Sequence, residues 1–233
     1  MKKDLVIQIK YGGLGDHLFY SHIPRIAKQT GAYNRVFISN ASDFRNKDYK
    51  KLIWEPNPFV DGFTDEPETA PMSFNNPTLE ESDKKTKNLL DYTMLAYGLD
   101  DGKRMHEPEI YYKPKFLPEL KDKVIYDPNY ISNAGFVTSK KVSKYFNTKK
   151  IHIDSQMCLI GTHAIPIPEF TEFISCATFW DFIDVVYSAK EVYCLVTGTA
   201  TLAPALGRKA HVFYTKDQES VFRHSLLNNY IEL

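Results

Sequence analysis

Short apolar runs alternate with amphipathic segments along this chain, and that alternation limits its fold more than any other feature. Residues 5–9, 35–39, 123–128, 156–166, 191–196 and 209–215 read as strands. Between them, 16–30, 43–56, 84–102, 139–147, 177–190 and 198–206 read as helices. Strands separated by helices imply parallel sheets with right-handed crossovers. Leu18, Phe19, Ile23, Ile26 and Ala27 fall near one face of the first helix, and Gly31 ends it. Pro24 lies inside that stretch and is expected to kink it, because it removes one backbone donor. The segment 57–63 reads as a short strand, and 64–83 as a long, acidic, proline-containing loop.

Length then sets the domain count. The chain has 233 residues, 43% hydrophobic and 25% charged, which suits two small domains with a core in each. The expected fold is α/β, with two Rossmann-like, doubly wound domains over 1–120 and 121–233. The C-terminal segment is expected to pack back on the first. No apolar run approaches the roughly 20 residues of a membrane span, so no stable membrane insertion is expected. No signal peptide is recognisable in Met-Lys-Lys-Asp and the short strand that follows. Cys158, Cys176 and Cys194 lack metal-ligand spacing and read as free thiols of a reducing cytoplasm. Neither a metal nor a resident cofactor is expected.

Net charge is zero but unevenly spread. Residues 1–51 carry ten Lys/Arg and four Asp/Glu, a net of +6, while 52–100 carry three Lys and ten Asp/Glu, a net of −7. A second basic run, SKKVSKYFNTKK at 139–150, holds five lysines and no acid. Such runs are either solvated faces or contacts for a polyanion.

Two turns stand out. KYGGLGDHLF follows the first strand and packs Gly12, Gly13 and Gly15 ahead of Asp16. Glycines permit a tight turn, and Asp16 suits a helix N-cap. VTGTAT follows the strand at 191–195 and opens a helix whose free amides suit an anion. In open α/β sheets, ligands bind beyond the carboxyl ends of the strands, where both turns sit.

YGGLGDHLFYSHIPRIAK resembles the opening signature of glycosyltransferase family 9, the heptosyltransferase-like group. NPFVDGF and FWDFIDVVYSAKEVYCLVTGTATLAPALGRKAHVFY resemble that family's later segments in order and spacing. The resemblance implies a shortened GT-B architecture, with two domains facing across a cleft. It also implies sugar transfer with inversion from a nucleotide-diphosphate sugar, without an obligatory metal. Asp16 would then be the general base that takes the acceptor hydroxyl's proton, although helix capping alone also accounts for it. Gly13, Gly15, Thr197, Gly198, Thr199 and Thr201 would contact the donor. Lys140 and Lys141 would meet its phosphates or else form a solvated surface. Lys10, Tyr11, His17 and His22 are candidates for acceptor binding, the histidines being equally readable as core residues, and His163 is unassigned.

The chain departs from the family where Val196 and Thr201 replace an aspartate and a histidine. Pro24 also falls about two residues late. Three acceptor readings compete. One is hydroxymethylcytosine in DNA, as T-even-type phage enzymes modify it, and composition and the basic N-terminal part favour this narrowly. The second is a lipopolysaccharide or capsule saccharide. The third is nucleotide binding without chemistry.

Overall fold

The computed structural model describes residues 3–69, 71, 88–129, 136–159, 164–216 and 222–233. It divides into two compact units. Unit 1 is Met1–Tyr112 with Arg223–Ser225, and unit 2 is Lys113–Phe222 with Leu226–Leu233. Residues 113–120 pack with unit 2, where the Lys115 amide donates to Asp184 and the Leu117 amide to Ser188 Oγ. Within unit 1, the His224 ring lies edge-on to Phe19.

Unit 1 is built on a parallel sheet of β1 (Lys3–Ile7), β2 (Tyr33–Ser39) and β3 (Gly62–Thr64), in that order. Leu5, Ile7, Val36 and Ile38 are fully buried in it, with Leu52, Ile53 and Trp54 packed nearby. Each such side chain contributes roughly 1.5–3 kcal/mol by leaving water.

The single kinked helix expected over 16–30 is instead two, α1 (Leu14–Leu18) and α2 (Ile23–Gln29). Between them Tyr20, Ser21 and Ile23 donate to carbonyls three residues back, which tightens the chain into turns. Pro24 therefore sits in the first turn of α2, where its missing N–H costs nothing. The expected helix over 43–56 contracts to a π-helical segment at Lys50–Trp54, where the Glu55 amide reaches back five residues to Lys50. The expected helix over 84–102 is α3 (Leu89–Ala96), capped by the Asn88 side chain, which accepts from the Asp91 amide. Residues 84–87 and most of the acidic loop lie outside the described residues.

Unit 2 carries a parallel six-stranded sheet. Its strands are β4 (Val124–Asp127), β5 (Ser155–Leu159), β6 (Phe173–Cys176), β7 (Glu191–Leu195), β8 (Ala210–Tyr214) and β9 (Asn229–Glu232). Their order is β6-β5-β4-β7-β8-β9. Counted within the unit this is 3-2-1-4-5-6, the doubly wound order in which direction reverses between β4 and β7.

Among the described residues, three helices connect these strands: α4 (Ser139–Lys149), α5 (Phe179–Ser188) and α6 (Gly198–Ala205). A capping box of Thr178 and Asp181 starts α5, and Phe179, Phe182, Ile183, Val185 and Val186 form its buried stripe. Phe146 of α4 anchors the core, edge-on to Tyr126, Tyr193 and Phe213. Cys176 and Cys194 are fully buried. Among the described residues, no helix is long and apolar enough to cross a membrane.

Candidate functional site

Both distinctive turns lie at carboxyl ends of parallel strands, one in each unit. In unit 1, Gly13 is the N-cap of α1 and Asp16 is its third residue, which corrects the expectation that Asp16 itself is the N-cap. The Gly13 amide donates to Asp16 Oδ2 at 3.0 Å. A Cβ on Gly13 would stand 2.8 Å from that oxygen, and one on Gly12 would stand 2.6 Å from the Asp43 carboxyl. At both glycines an added side chain would crowd a carboxylate, which would have to shift. Gly15 lies within α1 and is half-buried.

Asp16 is half-buried, and burial raises its pKa. The Gly13 hydrogen bond and Arg45 pull it down, and the neighbouring Asp43 pushes it up again. A carboxylate that is reachable and more basic than usual suits proton abstraction from a hydroxyl.

The 43–45 loop is fixed over this turn. The Asp43 amide donates to Ile9 O and the Arg45 amide to Gly12 O. His17 holds the same loop from below. Its Nδ1 accepts from the Trp54 indole at 3.0 Å, so its proton sits on Nε2 and is donated to the Asp43 carbonyl at 2.8 Å. Phe44 stacks on the ring, and burial pushes its pKa down to about 4.

The acceptor role expected for His17 is therefore corrected, since both nitrogens are occupied and the residue is buried. The acceptor role expected for His22 is corrected on burial alone: the ring is fully enclosed beside His106, and burial pushes its pKa down to about 3. Lys10 pairs with Glu68 at 3.2 Å, while Tyr11 is 73% exposed at the mouth of the turn. His163 lies outside the described residues.

In unit 2, Thr197 is the N-cap of α6 and its side chain accepts from the Thr199 amide. Gly198 is half-buried, whereas Thr197, Thr199 and Thr201 are buried. Direct donor contact by the Thr201 side chain is thereby corrected: it lies in the interior of the unit. Thr199 Oγ1 donates to the buried carboxylate of Asp127, at the end of β4. The end of β4 is thus tied to the first turn of the helix that follows β7. Lys140 and Lys141 are exposed in the first turn of α4, and Lys141 Nζ donates to the Phe136 carbonyl. Lys140 also lines an open groove of about 440 Å³ with Ser143, Lys144, Asn147 and Glu169.

Asp43, Arg45 and Asp127 were not singled out by sequence. Only Asp127 carried a local signal, a carboxylate and a proline ending the first strand of its unit. Among the described residues, no group of three or more His, Cys, Asp or Glu is placed to hold a metal ion.

No protein-family model and no curated protein matches this chain. Solved structures do. The iron-containing dodecameric glycosyltransferase TibC from enterotoxigenic E. coli H10407 superposes with a TM-score of 0.67 at 13% identity, covering 97% of this chain and 62% of that one. E. coli heptosyltransferase WaaC with ADP gives 0.62 at 9% identity, over 98% and 93% of the two chains. The glycosyl transferase family 9 protein of Veillonella parvula DSM 2008 gives 0.61 at 9%, over 100% and 87%. This chain therefore spans only about three-fifths of the length of TibC. At these identities the likeness speaks for the fold, since one fold hosts many activities. The chain has the α/β fold of the family 9 heptosyltransferases.

Proposed function

We propose that this chain is a glycosyltransferase that moves a sugar from a nucleotide-diphosphate sugar to an acceptor hydroxyl. The observation that carries the proposal is the reachable, burial-raised carboxylate of Asp16 on a glycine-cleared turn, in a fold shared with heptosyltransferases. Asp16 accepts the acceptor hydroxyl's proton as that oxygen attacks the anomeric carbon. The bond to the diphosphate breaks with inversion, and the leaving nucleotide takes its electron pair. The half-buried Gly198 amide at the start of α6 stabilises the departing charge. Lys140 at the start of α4 supplies a cation at the same end of the sheet. The proposal adopts the facing two-domain arrangement and the metal-free chemistry that the family resemblance implies.

A saccharide is the first acceptor reading, because one similar structure is an E. coli ADP-heptose lps heptosyltransferase. The second is hydroxymethylated DNA, supported by the exposed lysine face of α4 along its groove.

The test is a panel of ADP-, UDP-, GDP- and CDP-sugars, assayed for binding and then for transfer to saccharide and to hydroxymethylated DNA by mass analysis. Transfer to either supports the proposal, and no binding by any donor would end it. DNA retention that falls log-linearly with salt separates the second acceptor from the first.

A further inference from the structure

Asp127 is a fully buried carboxylate in contact with α6, and the proposed chemistry does not use it. It ends β4, and in the sheet register it pairs with Cys194 of β7. Three donors converge on it. The Thr199 hydroxyl reaches Oδ2, while the Asn129 amide at 3.1 Å and the Asn129 side chain at 2.6 Å reach Oδ1. Among the described residues, the other titratable groups facing it are the Cys194 thiol on β7 and the Tyr126 phenol on its own strand, both kept neutral by burial. Among the described residues, no Lys, Arg or His pairs with it. A buried negative charge without a cation is costly, and hydrogen bonds offset only part of that cost.

We infer that Asp127 is a positioning residue of the donor site: it fixes the first turn of α6 against the end of β4, and it couples donor binding to uptake of a proton. The inference rests on the proposed placement of the donor diphosphate at that turn. Thr199, which Asp127 holds, is the second residue of α6, so the carboxylate lies directly behind the amides that would face the phosphates. An anion bound there is repelled by ionised Asp127 and not by the neutral acid. When the carboxyl is protonated, the Thr199 hydroxyl turns from donor to acceptor and the contact survives. Burial already pushes the Asp127 pKa up to about 6, so the proton is taken up near neutral pH.

The tightest-binding member of the nucleotide-sugar panel serves as the probe, because its diphosphate diester does not itself titrate near neutral pH. Calorimetric titration of the whole chain from about pH 8 to about pH 5 should show affinity rising roughly tenfold, with net proton uptake on binding. Asp127→Asn keeps the shape and removes the charge. It should bind at about pH 8 as tightly as the wild type does at about pH 5, with a flat profile. Thr199→Val, which removes the hydroxyl donor, should move the wild-type midpoint to higher pH; it gives an independent answer if Asp127→Asn does not fold. A wild-type affinity independent of pH, or the same pH dependence in Asp127→Asn, would overturn the coupling and leave the donor site standing. Binding of no member of the panel would overturn the donor site, and the coupling with it.

Discussion

The turn at 12–16 and the turn at 196–201 both leave the carboxyl end of a buried parallel strand, and they handle a carboxylate in opposite ways. In unit 1, glycines clear space so that Asp16 stands half-buried and reachable, with Asp43 and Arg45 beside it. In unit 2, the carboxylate comes from the neighbouring strand and is sealed under the helix by Thr199. A reachable carboxylate can exchange a proton with a substrate. A sealed one does not meet the substrate, and acts by positioning its neighbours and tuning their field. The proposed function builds on that difference, with proton transfer at the first turn and anion binding at the second.

Substitutions that exchange these properties test that division. The largest effect is expected at Asp16. Asp16→Asn preserves the acceptor oxygen for Gly13 and removes the base, so turnover should fall roughly 100-fold or more while donor affinity stays within about twofold. Steady-state kinetics paired with calorimetry would show it, and near-normal turnover would reduce Asp16 to a helix cap.

Gly198→Val should act the other way. A side chain at the one half-buried residue of the second turn blocks the close approach of phosphate, weakening donor binding about tenfold, roughly 1.4 kcal/mol. Thermal unfolding measured alongside separates lost binding from lost folding, and is expected to change less than donor affinity.

The smallest effect concerns Gly12. Its added Cβ would stand 2.6 Å from the exposed Asp43 carboxyl, which must swing aside. Gly12→Ala should cost about 1 kcal/mol of stability, and Asp43→Ala in the same chain should restore most of it. A double-mutant cycle by denaturant unfolding reads this coupling directly.

Strands with buried faces on both sides were legible in the sequence. β1, β2, β4, β7 and β8 each hold three or more consecutive apolar residues, as suits parallel strands covered by helices. β6 and β9 were missed, and they are the two edges of the unit 2 sheet. FISC and NYIE each bury a single residue, so neither carries a run to recognise. The helix over 16–30 was misread because its apolar spacing continues through a turn that only the backbone bonds reveal.

Asp16 was legible because the glycines that serve it are adjacent in sequence. The fate of His17 was not, since Trp54 and the Asp43 carbonyl arrive from segments 26 to 37 residues away. Asp127 meets Thr199 across 72 residues, a contact that depends on strand order rather than on any local pattern.

The central claim is that Asp16 is the base, and the pH dependence of kcat/KM tests it most directly. The base works only when ionised, so activity must fall as pH drops through its pKa. Burial raises that pKa above the ordinary carboxylate value, so the acid limb of the wild-type profile should lie at a higher pH than an exposed aspartate would give. In Asp16→Asn the residual activity should lose that limb entirely. The same acid limb in both proteins would show that another group takes the proton, and would contradict the account.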